Sequence, residues 1–165
     1  MKCQSGQVQI RPLAPVDIAA VMALVRTGEP YIRVRADSDY WLYAHLFADT
    51  CPVAVAGQQL VGAAIAFRSQ RDPQDVYVQD VTTHPRWRRQ GVTRLLIDDI
   101  RRQAARWGCA RLYLTSEPQN RAAHATWLAL GFTNMPGDYQ SDGVAVTADF
   151  KGPGKHRAVY QLPLT

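Results

Sequence analysis

The feature that most constrains this chain is a change of period at Gly91. Before it lie three apolar, β-type runs, at 53–56, 60–67 and 76–83. After it, Val92, Leu95, Leu96, Ile100, Ala104 and Trp107 form one helical stripe, with Arg101, Arg102 and Arg106 turned outward. An amphipathic helix needs an apolar surface to lie on, and adjacent strands supply one. The chain must therefore lay a long helix on a sheet. Residues 84–91 must carry a strand end straight into a helix start.

The flanking segments extend this order. Residues 8–11 predict a short strand. Pro15 opens a helical pattern through Val16, Ile18, Val21, Met22 and Val25, which Gly28 and Pro30 stop. A second helix starts near Asp37 or Ser38, both good N-caps, carries Tyr40, Trp41, Leu42, Tyr43, Leu46 and Phe47, and ends before Pro52. Gly57-Gln58-Gln59 joins two of the central runs as a hairpin. Gly108 stands at a helix C-cap. A strand follows at 111–115, then a helix at 122–130 closed by Gly131. Two late strands, at 143–148 and 157–162, flank the turn Gly152-Pro153-Gly154. The order β-α-α-β-β-β-α-β-α-β-β predicts an α/β fold. It is a mixed sheet with helices on both faces, built as a single domain over residues 1–165.

Composition narrows the function. At 165 residues, 47% apolar and 20% charged, the chain is globular rather than disordered. Its net charge of +5 suits an anionic partner, either nucleic acid or an anionic cofactor. The arginines from Arg86 to Arg106 sit on one loop and one helix, with no aromatic platform, which argues against nucleic acid. Cys3, Cys51 and Cys109 are odd in number and dispersed. With no CxxC or Cys/His cluster, no metal site is expected, and free thiols suit a reducing cytoplasm. Residues 1–10 lack the apolar core of a signal peptide, and 60–67, the longest apolar stretch, is too short to span a bilayer. No membrane partner is expected. No Ser-His-Asp arrangement is legible; His84 reads as loop structure, and His45, His124 and His156 as ordinary histidines.

The chemistry concentrates where the period changes. A helix N-terminus exposes unpaired N–H groups and a partial positive charge, a seat for phosphate. Gly91 lets the backbone approach an anion, and Arg86, Arg88, Arg89 and Arg94 add charge.

These residues resemble the GNAT superfamily of N-acetyltransferases. The family signature, Arg/Gln-x-x-Gly-x-Gly/Ala, stands here as Arg88-Arg89-Gln90-Gly91-Val92-Thr93, with Thr93 departing at the last position. Val81-Thr82-Thr83-His84-Pro85 is similar to the family's strand end. Downstream, Asn120, Ala122-Ala123, Trp127 and Gly131-Phe132 fall at the family's spacing. The match is good over 53–132 and looser outside it.

The resemblance implies acetyl-CoA as co-substrate. Its pyrophosphate would lie on the amides of Arg88, Arg89, Gln90, Gly91, Val92, Thr93 and Arg94. Its pantetheine arm would pair with Val81 to Thr83, including Thr82, and contact Asn120, which also suits a helix N-cap. The family's usual acid is a Tyr at the position of Trp127, and indole is no acid at neutral pH. A thiolate whose parent pKa is ~8.5 can leave unassisted, and Trp127 would then pack against cofactor or core. Asp80 is the candidate general base, acting directly or through a water, with substrate-cation binding or the capping of a loop as its other readings. Tyr31 and Tyr40, together with Tyr77 and Gln79 on the alternate face of the Asp80 strand, are candidate acceptor-site residues.

The expected activity moves an acetyl group onto a primary amine, in a small molecule, by direct attack in a ternary complex. The stretch from His45 to Cys51 looks like part of the diaminobutyrate acetyltransferases, a hint of a small diamine or amino acid. The alternatives are a catalytically silent acyl-CoA sensor and a protein or peptide N-acetyltransferase. Many family members are homodimers, so the resemblance leaves a dimer open.

Overall fold

The structure is a computed structural model and describes residues 7–164. The thiol reading of Cys3, and most of the stretch read for a signal peptide, lie outside the described residues. The elements are β1 (Val8–Pro12), α1 (Ile18–Arg26), α2 (Asp37–Leu46), β2 (Pro52–Ala56), β3 (Gln59–Arg68), β4 (Asp75–Thr83) and α3 (Val92–Arg106). They continue as β5 (Arg111–Ser116), α4 (Arg121–Ala129), β6 (Thr133–Asn134), β7 (Tyr139–Ser141), β8 (Val144–Val146) and β9 (Ala158–Pro163). Seven strands form one sheet in the order β1-β2-β3-β4-β5-β9-β6, while β7 and β8 pair as a separate hairpin. The β4–β5 pair is parallel; β1–β2, β2–β3, β5–β9 and β6–β9 are antiparallel. This is the expected mixed α/β sheet. Among the described residues no helix is long and apolar enough to cross a membrane.

The chain divides into two compact units. The first joins the residues up to Phe67 with Asp80–Gln103. One face of its strands, with Val53, Ala63 and Ile65, packs with Val21, Leu24 and Val25 of α1 and Tyr40 and Tyr43 of α2. The other face is lined by small buried residues, Ala54, Gly62, Ala64 and Ala66. Here α3 comes so close that a Cβ on Gly62 would stand 2.7 Å from Val92 Cγ1 and 3.1 Å from Leu96 Cδ1. The buried stripe of α3 is Val92, Leu96, Ile97, Ile100 and Ala104. Leu95, expected in it, is 40% exposed: the stripe runs toward the Ile97 side of the helix, and Leu95 lies on the opposite flank.

The second unit holds Arg68–Gln79 and the residues from Ala104 on. Leu112 and Leu114 of β5 stand opposite Leu162 and Tyr160 of β9, all buried. Gly131, at φ +93, ends the α4 segment, and the Phe132 amide bonds back to the Trp127 carbonyl at 3.0 Å.

Three boundaries differ from expectation. The N-cap of α2 is Ala36; Asp37 is the first helical residue, and its carboxylate accepts from the Ser38 amide at 2.8 Å. The strand expected at 143–148 shrinks to Val144–Val146, paired with the unforeseen β7. The two-residue β6 was also unforeseen. It is secured by the Asn134 side chain, which donates to the Ala145 and Val159 carbonyls (3.2 Å each) and accepts from the Ala145 amide (2.8 Å). A two-residue strand, paired with β9, leaves no period to read.

Two outcomes test this packing. Gly62→Val overfills the contact with α3 and should destabilise the protein by about 1–3 kcal/mol in urea denaturation. The second concerns Asp17, which accepts from both terminal nitrogens of Arg11 (2.7 and 2.8 Å) and from the Ala14 amide (2.8 Å). Hydrogen bonding by Arg11, opposed by burial, holds its carboxyl below the ordinary range. The resulting stability is complete above the ordinary carboxylate pKa and is lost as pH falls through the lowered value. The wild type should therefore lose stability on acidification more steeply than Asp17→Asn.

Candidate active site

The segment between β4 and α3 is a built turn. His84 receives the Trp87 amide on its carbonyl (2.8 Å) and the Arg86 amide on Nδ1 (3.2 Å). Gln90 ties the other end, donating from Nε2 to the Arg86 carbonyl at 2.9 Å. Arg89 at φ +62 and Gly91 at φ +84 both take the left-handed conformation. Positive φ values alternating through a turn bring backbone N–H groups into an anion-binding concavity. A Cβ on Gly91 would meet nothing within 4 Å, so the approach to this backbone is open. The α3 ladder begins only at the Leu95 amide, which bonds to the Gly91 carbonyl at 3.1 Å. The amides before it lack intrahelical acceptors. Arg88, Arg89, Gln90 and Arg94 are exposed around them. These features together offer backbone donors and positive charge to an anion.

The hydroxyl of Thr93 lies 3.0 Å from that of Thr83. Two hydroxyls sharing one hydrogen bond keep one proton for a further acceptor. The departure at Thr93 thus links the end of β4 to the first turn of α3 and leaves a donor beside the amides.

Along β4 the faces alternate. Val76, Val78, Asp80 and Thr82 are buried; Tyr77, Gln79, Val81 and Thr83 are partly exposed. Thr82 Oγ1 is buried without a hydrogen bond, so only its backbone can meet a ligand. The ladder to β5 pairs Asp75–Val78 with Arg111–Leu114 and, among the described residues, goes no further, although both strands continue.

Asp80 does not stand alone. Arg35 Nη1 donates to its Oδ2 at 2.6 Å, with the Arg35 side chain 32% exposed and that of Asp80 8%. Burial lowers the Arg35 pKa, but the charge and hydrogen bond of Asp80 outweigh it, and the guanidinium stays charged. An arginine beside a carboxylate makes it a weaker proton acceptor. Arg35 was missed in the sequence because 45 residues separate the partners and no local pattern joins them.

The remaining expected residues fall out as follows. Tyr40 is fully buried, edge-on to Tyr43, with its hydroxyl accepting from the Arg35 amide at 3.5 Å. Tyr31 is exposed. In the second unit, the Tyr77 ring lies 5.0 Å from that of Tyr113 and 5.3 Å from Lys151 Nζ, and its hydroxyl is buried without a partner. Gln79 is partly exposed. Asn120 caps α4, accepting the Ala123 amide at 3.1 Å. Trp127 donates from Nε1 to Ser116 Oγ at 2.9 Å and packs edge-on against Phe132. His124, read as ordinary, lies 2.6 Å from the Tyr160 hydroxyl, whose pKa burial pushes up to about 12.

Residues 20–132 match the model of the acetyltransferase (GNAT) family. The chain belongs to this family. No curated protein matches the sequence significantly. Among solved structures, the diaminobutyrate acetyltransferase of Paenibacillus lautus, in complex with L-2,4-diaminobutyric acid and coenzyme A, is 25% identical. The match covers 97% of each chain, with a TM-score of 0.77. The ribosomal-protein-S18-alanine N-acetyltransferase of Escherichia coli is 16% identical over 96% of this chain and 95% of its own, with a TM-score of 0.71. The NatC complex bound to Gag peptide and CoA is likewise 16% identical, over 96% of this chain and 99% of its own, with a TM-score of 0.75. These two likenesses are of fold alone. The fold is that of the GNAT acetyltransferases, and the enzyme is an acetyltransferase.

The ion pair has a direct check. Asp80→Asn leaves a half-buried guanidinium without its counter-charge. We expect a loss of about 1–3 kcal/mol in urea denaturation, below the ~3–5 typical of fully buried pairs because Arg35 is partly solvated.

Proposed function

We propose that this chain transfers the acetyl group of acetyl-CoA to a primary amine of a small molecule, by direct attack in a ternary complex. The observation that carries the cofactor side is the backbone at Arg89 and Gly91: two left-handed residues opening onto the start of α3 with nothing above Gly91. Acetyl-CoA, when bound, supplies an activated thioester. The amides from Arg88 to Thr93 hold its pyrophosphate, with the side chains of Arg88, Arg89 and Arg94 around them and the spare Thr83–Thr93 proton as a further donor. The backbone of Val81 to Thr83, on the partly exposed face of β4 beyond its pairing with β5, takes the pantetheine arm and polarises the thioester carbonyl.

Proton transfer follows from what the side chains already do. The indole N–H of Trp127 is spent on Ser116, and indole is no acid at neutral pH. The thiolate therefore departs unassisted, its parent thiol having an ordinary pKa of ~8.5. Asp80, held by Arg35, serves as an anchor for the segment preceding α2 rather than as a strong base, and the amine loses its proton to water. The small-molecule acceptor is supported by the likeness to the diaminobutyrate enzyme, at 25% identity over 97% of both chains against 16% for the two enzymes with protein or peptide acceptors. The free, buried thiols of Cys51 and Cys109 suit a reducing, cytoplasmic setting.

Calorimetry with acetyl-CoA tests the cofactor side. Wild type should bind, and Gly91→Asp, which puts a carboxylate where phosphate belongs, should weaken binding by at least about 100-fold, or ~2.8 kcal/mol. Gly57→Asp is the control for strain. Gly57 has φ +63 with equally open space, but it sits in the β2–β3 turn, so acetyl-CoA binding should survive there. A wild type that ignores acetyl-CoA overturns the proposal.

A further inference from the structure

In the first unit, two stretches far apart in sequence bring four ionisable groups together. Arg35 precedes α2, Tyr40 and Tyr43 lie on it, and Asp80 lies on β4. Arg35 Nη1 donates to Asp80 Oδ2 at 2.6 Å, the Arg35 amide donates to the Tyr40 hydroxyl at 3.5 Å, and the Tyr40 ring stands edge-on to that of Tyr43 at 5.5 Å. Tyr40 is fully buried and Tyr43 nearly so, which makes one wall of the cluster apolar and rigid.

Within it, Arg35 is held but not used up. A guanidinium carries five N–H donors in a planar fork. Among the described residues, Nη1 alone engages a partner, Asp80 Oδ2, at 2.6 Å. A third of the side chain remains exposed. Asp80 directly precedes Val81 on β4; their side chains take opposite faces, but their backbones are one strand residue, about 3.3 Å of rise, apart, and Val81 begins the segment assigned to the thioester arm. A fixed fork with spare donors, tied to the strand whose backbone takes the thioester arm, suits a carboxylate a few bonds from the attacking amine.

We propose that Arg35, oriented by Asp80, is the specificity-determining residue that selects amine acceptors bearing a carboxylate. This rests on the acetyl-transfer reading above and names its substrate class. Asp80 is a positioning residue in this arrangement. An ion pair that only stapled the segment before α2 to β4 would affect all amines alike, and this difference separates the two roles.

The test uses L-2,4-diaminobutyric acid and 1,3-diaminopropane, which is the same diamine without the carboxylate. Each is titrated calorimetrically into protein saturated with CoA, where no transfer can occur. Wild type should bind the carboxylated ligand at least about 10-fold more tightly, within the range of one charge-assisted hydrogen-bonded contact. Arg35→Gln should bind both about equally, with its affinity for CoA unchanged as evidence of folding. Should Arg35→Gln fail to bind CoA, Arg35→Lys takes its place; it keeps the charge, loses the fork and should lower the preference several-fold. Equal wild-type affinity for both ligands, binding of neither by the CoA complex, or a variant that weakens both equally overturns the assignment to Arg35 and leaves acetyl transfer standing. Failure of the wild type to bind CoA overturns the acetyl-transfer reading instead.

Discussion

Everything at the candidate site of the first unit depends on how closely α3 lies on β3. The contact at Gly62 has no room for a Cβ, and the buried residues that share its face are alanines. A larger residue there would lift Val92 and Leu96, the first buried residues of the helix. The start of α3 would then leave the end of β4. The 3.0 Å contact between Thr83 and Thr93 depends on that seating. So does the turn between them, where the backbone at Arg89 and Gly91 opens toward an anion. A phosphate seat made of backbone amides is only as well placed as the helix that carries it.

The opposite face of the same strands follows a different physical logic. There α1 and α2 bury large side chains, Tyr40 and Tyr43 among them, against Val53, Ala63 and Ile65. Charge enters at the border of this core as the Arg35–Asp80 pair, at 2.6 Å. A buried carboxylate without a partner would cost several kcal/mol. With one, it orients a guanidinium whose other donors have no partner among the described residues. The alternation of β4 thus serves two purposes. Its buried face holds Asp80, and its partly exposed face presents Val81 and Thr83.

The second unit carries features that sequence spacing assigned to the cofactor, and each has a local role. Asn120 caps α4 and Trp127 is tied to Ser116. The Trp127 indole is fixed by a hydrogen bond it donates, which is consistent with chemistry that needs no acid at that position. The loop after β8 is held by Asp149, at φ +52, whose carboxylate accepts from the Gly154 amide at 2.7 Å.

By itself the sequence determined the order of the main elements, the mixed sheet and the turn into α3 that opens its backbone to an anion. These are local matters: a change of period at Gly91, a helix start, and a glycine with no side chain to block an approach. The candidate residues on β4 were legible too, since a strand alternates faces whatever its surroundings. Tertiary structure decided which of them are buried. It put Tyr40 in the core and turned Leu95 out. It paired the two-residue β6 with β9 and braced it with the Asn134 side chain. Above all it brought Arg35 to Asp80 across 45 residues, where no period, motif or spacing in the chain could have joined them. Ion pairs depend on distance in space, and that is set only when the helices and the sheet have packed.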